Sequence, residues 1–476
     1  MTFTSLTFIA FFFTTLFLYW SAPNRKIQNG LLAIASFTFY AWWDWRLYFL
    51  MAGCCAVNYS CAIKIEQSQE HARKWLAVGL ITSLGTLAYF KYFNFFLESL
   101  NSLAYQFEAS SHFEPHKILL PIAISFYTFQ CVAYTVDVYR KRLAASHSFL
   151  DFLTFATFFP QLVAGPIERA EQLLTQIQNN RRFSDSLANE GMRQLLWGFT
   201  KKLLIADNLA VVANAVFTEP RAYSSTHLVI GILAFSIQIY ADFSAYSDIA
   251  IGCAKTFGIR LSRNFAFPYF SQRLDEFWRR WHITLSYWFR DYFFEPLRQL
   301  KGMGLLVPLF LTFAISGLWH GASWNFVIWG VIHGVGVGVL YLLPRPAERL
   351  SAEDVPFSRG LSFKGLVSMA VTFSYVCLGW IFFRASSLSD AWYILTHLLP
   401  GSTSATKTFA GVGGVQVLLL SVSLLSIEWI TRGFRHPLES LPVPRLARWC
   451  LYILIMSSIL VWGSFGSANT FIYFQF

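Results

Sequence analysis

The stretch that decides the fold runs Gly304-Leu-Leu-Val-Pro-Leu-Phe-Leu-Thr-Phe-Ala-Ile-Ser316-Gly317-Leu318-Trp319-His320-Gly321-Ala322-Ser323-Trp324-Asn-Phe-Val-Ile-Trp329-Gly-Val-Ile-His333-Gly334. Its two apolar runs, 303–318 and 323–343, read as membrane spans. They place imidazoles in one of the most apolar parts of the chain. An ionisable side chain at membrane depth is costly and usually faces an internal cavity, which makes it a functional-site hypothesis by default. His is also the side chain whose ordinary pKa suits proton transfer near neutral pH. The glycines at 317, 321 and 334 leave room for a close backbone approach or a broken helix.

Outward from this stretch the same texture continues. Apolar residues make up 55% of the chain and charged residues only 13%, a balance suited to lipid. Further spans are placed near 3–20, 28–45, 47–63, 75–97, 118–138, 191–217, 228–253, 365–383, 411–431 and 449–465. The expectation is an all-α polytopic membrane protein of about 11–12 transmembrane helices. One membrane-embedded domain is expected over 1–476, because no polar stretch is long enough to form a separate core. The run Thr2–Trp20 lacks a basic n-region and a small-residue cleavage site, so it reads as a retained span.

The net charge of +11 does not imply nucleic-acid binding, because the cations sit in short inter-span loops. Basic loops are 25–26, 64–74, 140–142, 181–202, 255–301, 345–364 and 432–448. Poorly basic ones are 98–117, 218–227 and 384–410. The positive-inside rule puts the first set in the cytoplasm and the second outside, with the N-terminus outside. Asp44 and Arg46 interrupt the pair at 28–63. The seven cysteines show neither zinc spacing nor a disulfide framework, so no metal site is expected.

Two segments are not ordinary spans. In 151–172, Pro160-Gln161-Leu-Val-Ala-Gly165-Pro166 breaks an apolar run of about ten residues, which suits a re-entrant or interfacial segment lining a polar cavity. A plain interfacial helix with a proline turn is the alternative. In 264–301, Asn264 and Pro268 precede Leu274-Asp-Glu-Phe-Trp278-Arg279-Arg280-Trp281-His282-Ile-Thr-Leu-Ser-Tyr-Trp288-Phe289-Arg290-Asp291. Read as one helix, Phe277, Trp281, Leu285, Trp288 and Phe289 form an apolar stripe and Arg279, Arg280 and Arg290 lie off it. Such a helix lies in the headgroup plane against membrane lipid, and its arginines can also receive donor phosphates. His282 then shares a face with Trp278 and Leu285, pointing inward. Asp242 and Asp248, inside the apolar run 228–253, require partners and read as structural ion pairs. Tyr240, Ser244, Tyr246 and Ser247 add hydroxyls along the same run.

Several of these segments together resemble the membrane-bound O-acyltransferase family. They are Phe158-Phe-Pro-Gln-Leu-Val-Ala-Gly-Pro-Ile-Glu-Arg169, Tyr240-Ala-Asp-Phe-Ser-Ala-Tyr-Ser-Asp248, Glu276-Phe-Trp-Arg-Arg-Trp-His282, Ser316-Gly-Leu-Trp-His320-Gly-Ala and Trp380-Ile-Phe-Phe-Arg384. The chain resembles the bacterial branch that includes the alginate O-acetylation membrane subunit and the D-alanyl transfer protein of teichoic acid. The family-like core covers about 120–390, with peripheral helices in 1–117 and 391–476. The sequence departs from the pattern at Glu295 and Arg298, where relatives commonly have a Pro-Leu-Gly-Gly turn. The resemblance implies helices around a central funnel or tunnel, with His320 as the catalytic residue and His282 as the second family histidine. Trp319, Ser316, Asn264, Trp278, Arg279, Arg280, Asp291, Gln161 and Asp242 are the accompanying donor- or substrate-tunnel candidates.

Elementary chemistry agrees with this assignment. Attack on a thioester requires the acceptor's proton to be taken up, and burial keeps an imidazole neutral for that task. No Gly-x-Ser-x-Gly elbow is present, which favours direct transfer over a serine acyl-enzyme. The expected donor is acetyl-CoA in the cytoplasm, with no bound cofactor. The expected outcome is O-acetylation of an extracytoplasmic polysaccharide or peptidoglycan, completed by a periplasmic or extracellular SGNH-type acetyltransferase at the bacterial cytoplasmic membrane. D-alanyl transfer from a carrier protein is the alternative within the class. A secondary transporter is the alternative outside it, although the breaks and histidines cluster in 160–334 and not in two matched halves.

Overall fold

The computed structural model describes residues 1–107, 113–342, 362–399, 401, 406–409, 413–465 and 471–472. These residues divide into two compact units. The first comprises Met1–Gly191 with Cys253–Ser262, and the second Met192–Gly252 with Arg263–Phe476.

The first unit carries α1 (Leu6–Ser21), α2 (Arg25–Gln67), α3 (Ala72–Leu87), α4 (Phe93–Gln106), α5 (Ile124–Tyr139), α6 (Phe149–Thr157), α7 (Ala170–Gln178) and the start of α8 (Asp185–Phe199). Helix α1 begins where the Ser5 side chain accepts the Phe8 N–H, and it buries Phe8, Phe12, Thr15 and Tyr19 on one stripe. Helix α2 covers both expected spans of 28–63. It leaves helical geometry at Asp44 (φ −155°, ψ 112°), whose carboxylate accepts the Arg46 N–H and guanidinium. The Phe37 and Tyr48 rings lie 4.9 Å apart. A straight helix would hold these positions about 16 Å apart along its axis, so the two halves fold towards each other.

Helix α6 has nine residues, too few to cross a bilayer, and the buried turn 158–169 follows it. In this turn Gly165 approaches Gln161 so closely that a Cβ would lie 2.4 Å from the Gln161 Cα. The Glu168 carboxylate is buried and accepts both the main-chain N–H and the hydroxyl of Ser262.

The second unit carries the rest of α8, a π-helical turn (Thr200–Ala206), α9 (Asp207–Thr218), α10 (Ser225–Thr256, apart from its last turn), α11 (Leu274–Arg280), α12 (Ile283–Phe289), α13 (Glu295–Arg298), α14 (Leu306–His320), α15 (Trp324–Leu342), α16 (Phe363–Arg384), α17 (Leu388–Thr396), α18 (Gly413–Ile430) and α19 (Arg445–Trp462). Helices α14 and α15 pack through glycines. A Cβ at Gly317 would lie 2.1 Å from the Phe326 carbonyl oxygen, and one at Gly330 would lie 2.2 Å from that of Phe313. Helix α14 ends at His320, where Gly321 turns extended beneath the Phe326 ring. Close approach and helix termination therefore both occur.

Among the described residues seven helices are long and apolar enough to cross a membrane, and α1 and α14 are apolar but shorter. Their outer faces remain apolar; Leu446, Leu460 and Val461 of α19 are 77%, 73% and 70% exposed. A water-soluble chain does not leave such a belt uncovered. The protein is an all-α, multi-pass membrane protein.

The expected single interfacial helix over 274–289 is broken. Helix α11 stops at Arg280, Trp281 is extended, and His282 adopts the left-handed conformation (φ 43°, ψ 55°) before α12 begins. The stripe of Phe277, Trp281, Leu285, Trp288 and Phe289 is therefore not one helix face, nor do His282 and Trp278 share one. Arg280 is not an outward cation. It is 2% exposed, pairs with Glu276 at 2.9 Å and donates to the Ala266 carbonyl at 3.3 Å.

Candidate active site

His282 owes its position to a strand-like pairing. The Ala266 N–H donates to the Arg280 carbonyl and the Ile283 N–H to the Asn264 carbonyl, each at 2.9 Å, which clamps the turn from both sides. This offsets the cost of about 1–2 kcal/mol for a left-handed non-glycine residue. The ring is 1% exposed and packs edge-to-face on Phe243 at 4.7 Å. Its Nδ1 lies 3.0 Å from the Asn264 Oδ1. Its Nε2 has no hydrogen-bond partner among the described residues. Burial pushes the imidazole down to about 3, so it is neutral across the physiological range.

His320 closes α14 and is buried among aromatic rings. Trp319 lies 4.8 Å away, Trp329 5.0 Å and Phe383 5.2 Å, between ring centroids. The Trp319 indole also reaches His282 at 6.0 Å, so one indole ring contacts both imidazoles. Ser316 lies one turn before His320 on α14 and is half-buried. Trp278 joins the same aromatic cluster from α11, 5.6 Å from Trp329 and 4.9 Å from His333. His333 is fully buried on α15.

The remaining sequence candidates are more scattered. Arg279 is half-exposed and pairs with Asp275 at 3.5 Å. Asp291 pairs with Arg290 at 2.6 Å within a second π-helical turn. Gln161 belongs to the first unit, where its amide donates to the Phe155 carbonyl at 3.2 Å.

Asp242 is in a charge network. Lys202 bridges it to Asp207 at 2.8 and 2.7 Å, and it also accepts the Ile472 N–H at 2.8 Å. Lys201 pairs with Asp248 at 2.7 Å and donates to Ser244 at 2.7 Å. The expected carboxylate pairing occurs, with lysines as partners. Lys201 and Lys202 are therefore not loop cations at the membrane surface; they are 3% and 7% exposed in the π-helical turn. A signal for this was present, because Lys-Lys stands between Trp197-Gly-Phe-Thr and Leu-Leu-Ile-Ala, an apolar setting for two charges. Ser247 stood out in sequence only as one hydroxyl of its run and Thr284 not at all; the structure makes both partners of Asn264.

Residues 74–340, more than half of the chain, match the sequence model of the membrane-bound O-acyltransferase family. The chain belongs to that family. The "Probable alginate O-acetylase" of Pseudomonas aeruginosa is 36% identical over 449 residues, covering 92% of this chain and 84% of the relative. The peptidoglycan O-acetyltransferase of Helicobacter pylori is 34% identical over 84% of this chain and 77% of the relative. A teichoic acid D-alanyltransferase of Bacillus subtilis is 26% identical over 57% of this chain and 70% of the relative. As a family member the protein is an O-acyltransferase, and the matched region contains His282, Trp319 and His320.

Proposed function

We propose that this membrane-bound O-acyltransferase takes an acetyl group from acetyl-CoA at the cytoplasmic face of a bacterial inner membrane. It passes the group across for O-acetylation of an extracytoplasmic polysaccharide or peptidoglycan, where an SGNH-type acetyltransferase completes the transfer. The observation that carries this reading is the pair of buried imidazoles, His282 and His320, on one indole. Two buried imidazoles in an apolar setting suit attack of a hydroxyl or thiol on a thioester, because the proton must be held and then returned to the leaving thiol. In this reading His320 and His282 are the catalytic residues. Trp319, Ser316, Trp278 and Asn264 shape the site, and Asp242 holds its frame. Asp291 belongs to the donor tunnel in the same reading. Arg279, half-exposed, would meet donor phosphates. The extensive similarity to relatives named for O-acetylation favours acetyl over D-alanyl.

The test uses purified protein in vesicles with acetyl-labelled CoA outside and a nucleophilic acceptor on either side. Acetyl transfer that is lost in His320→Ala supports the reading. Transfer only from a D-alanyl carrier protein would replace acetyl with D-alanyl. Passage of intact acetyl-CoA with no transfer would replace the enzyme with a transporter.

A further inference from the structure

Resting on that reading of His282, we propose that Asn264 is a positioning residue: its side-chain oxygen holds the His282 proton on Nδ1 and leaves Nε2 as the base that takes the acceptor's proton. The orientation of the carboxamide is fixed by its neighbours. The Thr284 main-chain N–H, which can only donate, points at Oδ1 at 3.4 Å, and the Thr284 hydroxyl donates to it at 3.0 Å. On the other side the Asn264 Nδ2 donates to Ser247 at 3.2 Å. The atom facing the ring at 3.0 Å is thus an acceptor, and Nδ1 must carry the hydrogen. A neutral imidazole has one N–H, so Nε2 holds the lone pair. Nε2 is also the atom without a partner among the described residues. Asn264 holds the turn as well, since its carbonyl accepts from Ile283. The same residue sets both the tautomer and the left-handed backbone.

The step balances. The acceptor O–H bond breaks and its proton moves to Nε2 as the oxygen bonds the acyl carbon. The C–S bond then breaks, the electron pair leaves with sulfur, and Nε2–H returns the proton to the thiolate. The elements packed against the ring present Phe243, Phe265 and Trp319, none of them charged. The nearby charges are paired with one another: Arg280 with Glu276, Lys202 with Asp242, and Lys201 with Asp248. Arg263 donates to the Phe265 carbonyl, and His320 lies beyond Trp319.

Three variants of the full-length protein test this: Asn264→Ala, Asn264→Asp and Thr284→Val. Asn264→Ala should lower kcat about 100-fold or more, with KM for the acyl donor nearly unchanged. Asn264→Asp keeps an acceptor but sets a carboxylate against the ring N–H. It should recover part of the rate above neutral pH and gain an acid limb that the wild-type profile lacks. Thr284→Val should fall between wild type and Asn264→Ala. Asn264→Ala with kcat within about threefold of wild type, or Asn264→Asp with a wild-type pH profile, overturns the proposal. A readout free of turnover is 15N NMR of histidine-labelled protein, with the His282 signal assigned by its loss in His282→Gln. The wild-type ring should be protonated at Nδ1, and a ring protonated at Nε2 overturns the proposal. If the tautomer is as stated but wild type transfers no acyl group, the reading of the site fails and the positioning of His282 by Asn264 stands.

Discussion

Gly317 faces the main-chain carbonyl of Phe326 so closely that a methyl group built on it would lie 2.1 Å from the oxygen. That contact sets the spacing of α14 and α15, and hence the position of His320 at the end of α14. Backbone cannot yield as a flexible side chain can, so Gly317→Ala must separate the helices. Overpacking of this kind costs about 1–3 kcal/mol. The expected outcome is a lower unfolding temperature in detergent together with acyl transfer at least tenfold slower. An alanine variant with wild-type stability and rate would mean that the spacing is immaterial.

His320→Ala should abolish acyl transfer in a protein that inserts and purifies normally. Loss of one imidazole of a catalytic pair typically costs about 100- to 10,000-fold in rate. Near-normal turnover by well-folded mutant protein would remove His320 from the chemistry.

Lys202→Met should destabilise the fold far more than a surface substitution. It leaves Asp207 and Asp242 buried beside each other without their cation. Breaking a buried pair from one side costs about 3–5 kcal/mol. Much of this should return in Lys202→Met combined with Asp242→Asn, which removes one of the stranded charges. Unfolding temperatures of the single and double variants decide it; equal stability of Lys202→Met and wild type would argue that the network is not coupled.

Glu168 predicts a pH dependence. Burial raises its carboxyl from 4.5 to about 7, against the opposing bonds from Ser262. The folded pKa lies above the unfolded one, so the contribution to stability is complete below about pH 4.5 and is lost as pH rises through about 7. It amounts to about 3 kcal/mol at most. Unfolding temperature should therefore fall from pH 5 to pH 8, and Glu168→Gln should flatten that slope. An unchanged slope in the variant would assign the pH dependence elsewhere.

Topology can be read by labelling single cysteines with an impermeant thiol reagent, after removal of the seven native ones. The segment 255–301 carries nine Lys or Arg, against one in 98–117 and two in 384–410. A cysteine at Gln299 should be protected in intact cells, while cysteines at Ser110 and Ser402, both outside the described residues, should react. The reverse pattern would invert the protein and exclude a cytoplasmic donor.

The helical architecture was legible because bilayer crossing imposes a continuous apolar length that no other constraint imitates. His320 stood out for the same reason, as did the hairpin bend near Asp44. The break at His282 was hidden, because histidine, although enriched among left-handed non-glycine residues, signals that conformation far more weakly than glycine does. The partners that hold it, Asn264 and Thr284, are 18 and 2 positions away, and only the fold juxtaposes them. Lys201 and Lys202 were misread for a related reason. Two cations beside a basic loop look like part of it until the carboxylates opposite them are known.

Those two lysines also bear on how the chain is made. Lys202 meets one of its carboxylates, Asp207, five residues on, but Lys201 leaves the ribosome 47 residues before Asp248, the α10 carboxylate that neutralises it. A bare ammonium at the bilayer centre costs about 3 kcal/mol on insertion scales. The segment carrying the π-helical turn therefore gains nothing by settling alone. The expected route is insertion in company with α10. A ribosome stalled between residues 202 and 248 should therefore hold a segment that has not yet committed to the bilayer, and a segment already inserted at that stage would show that Lys201 enters without its partner.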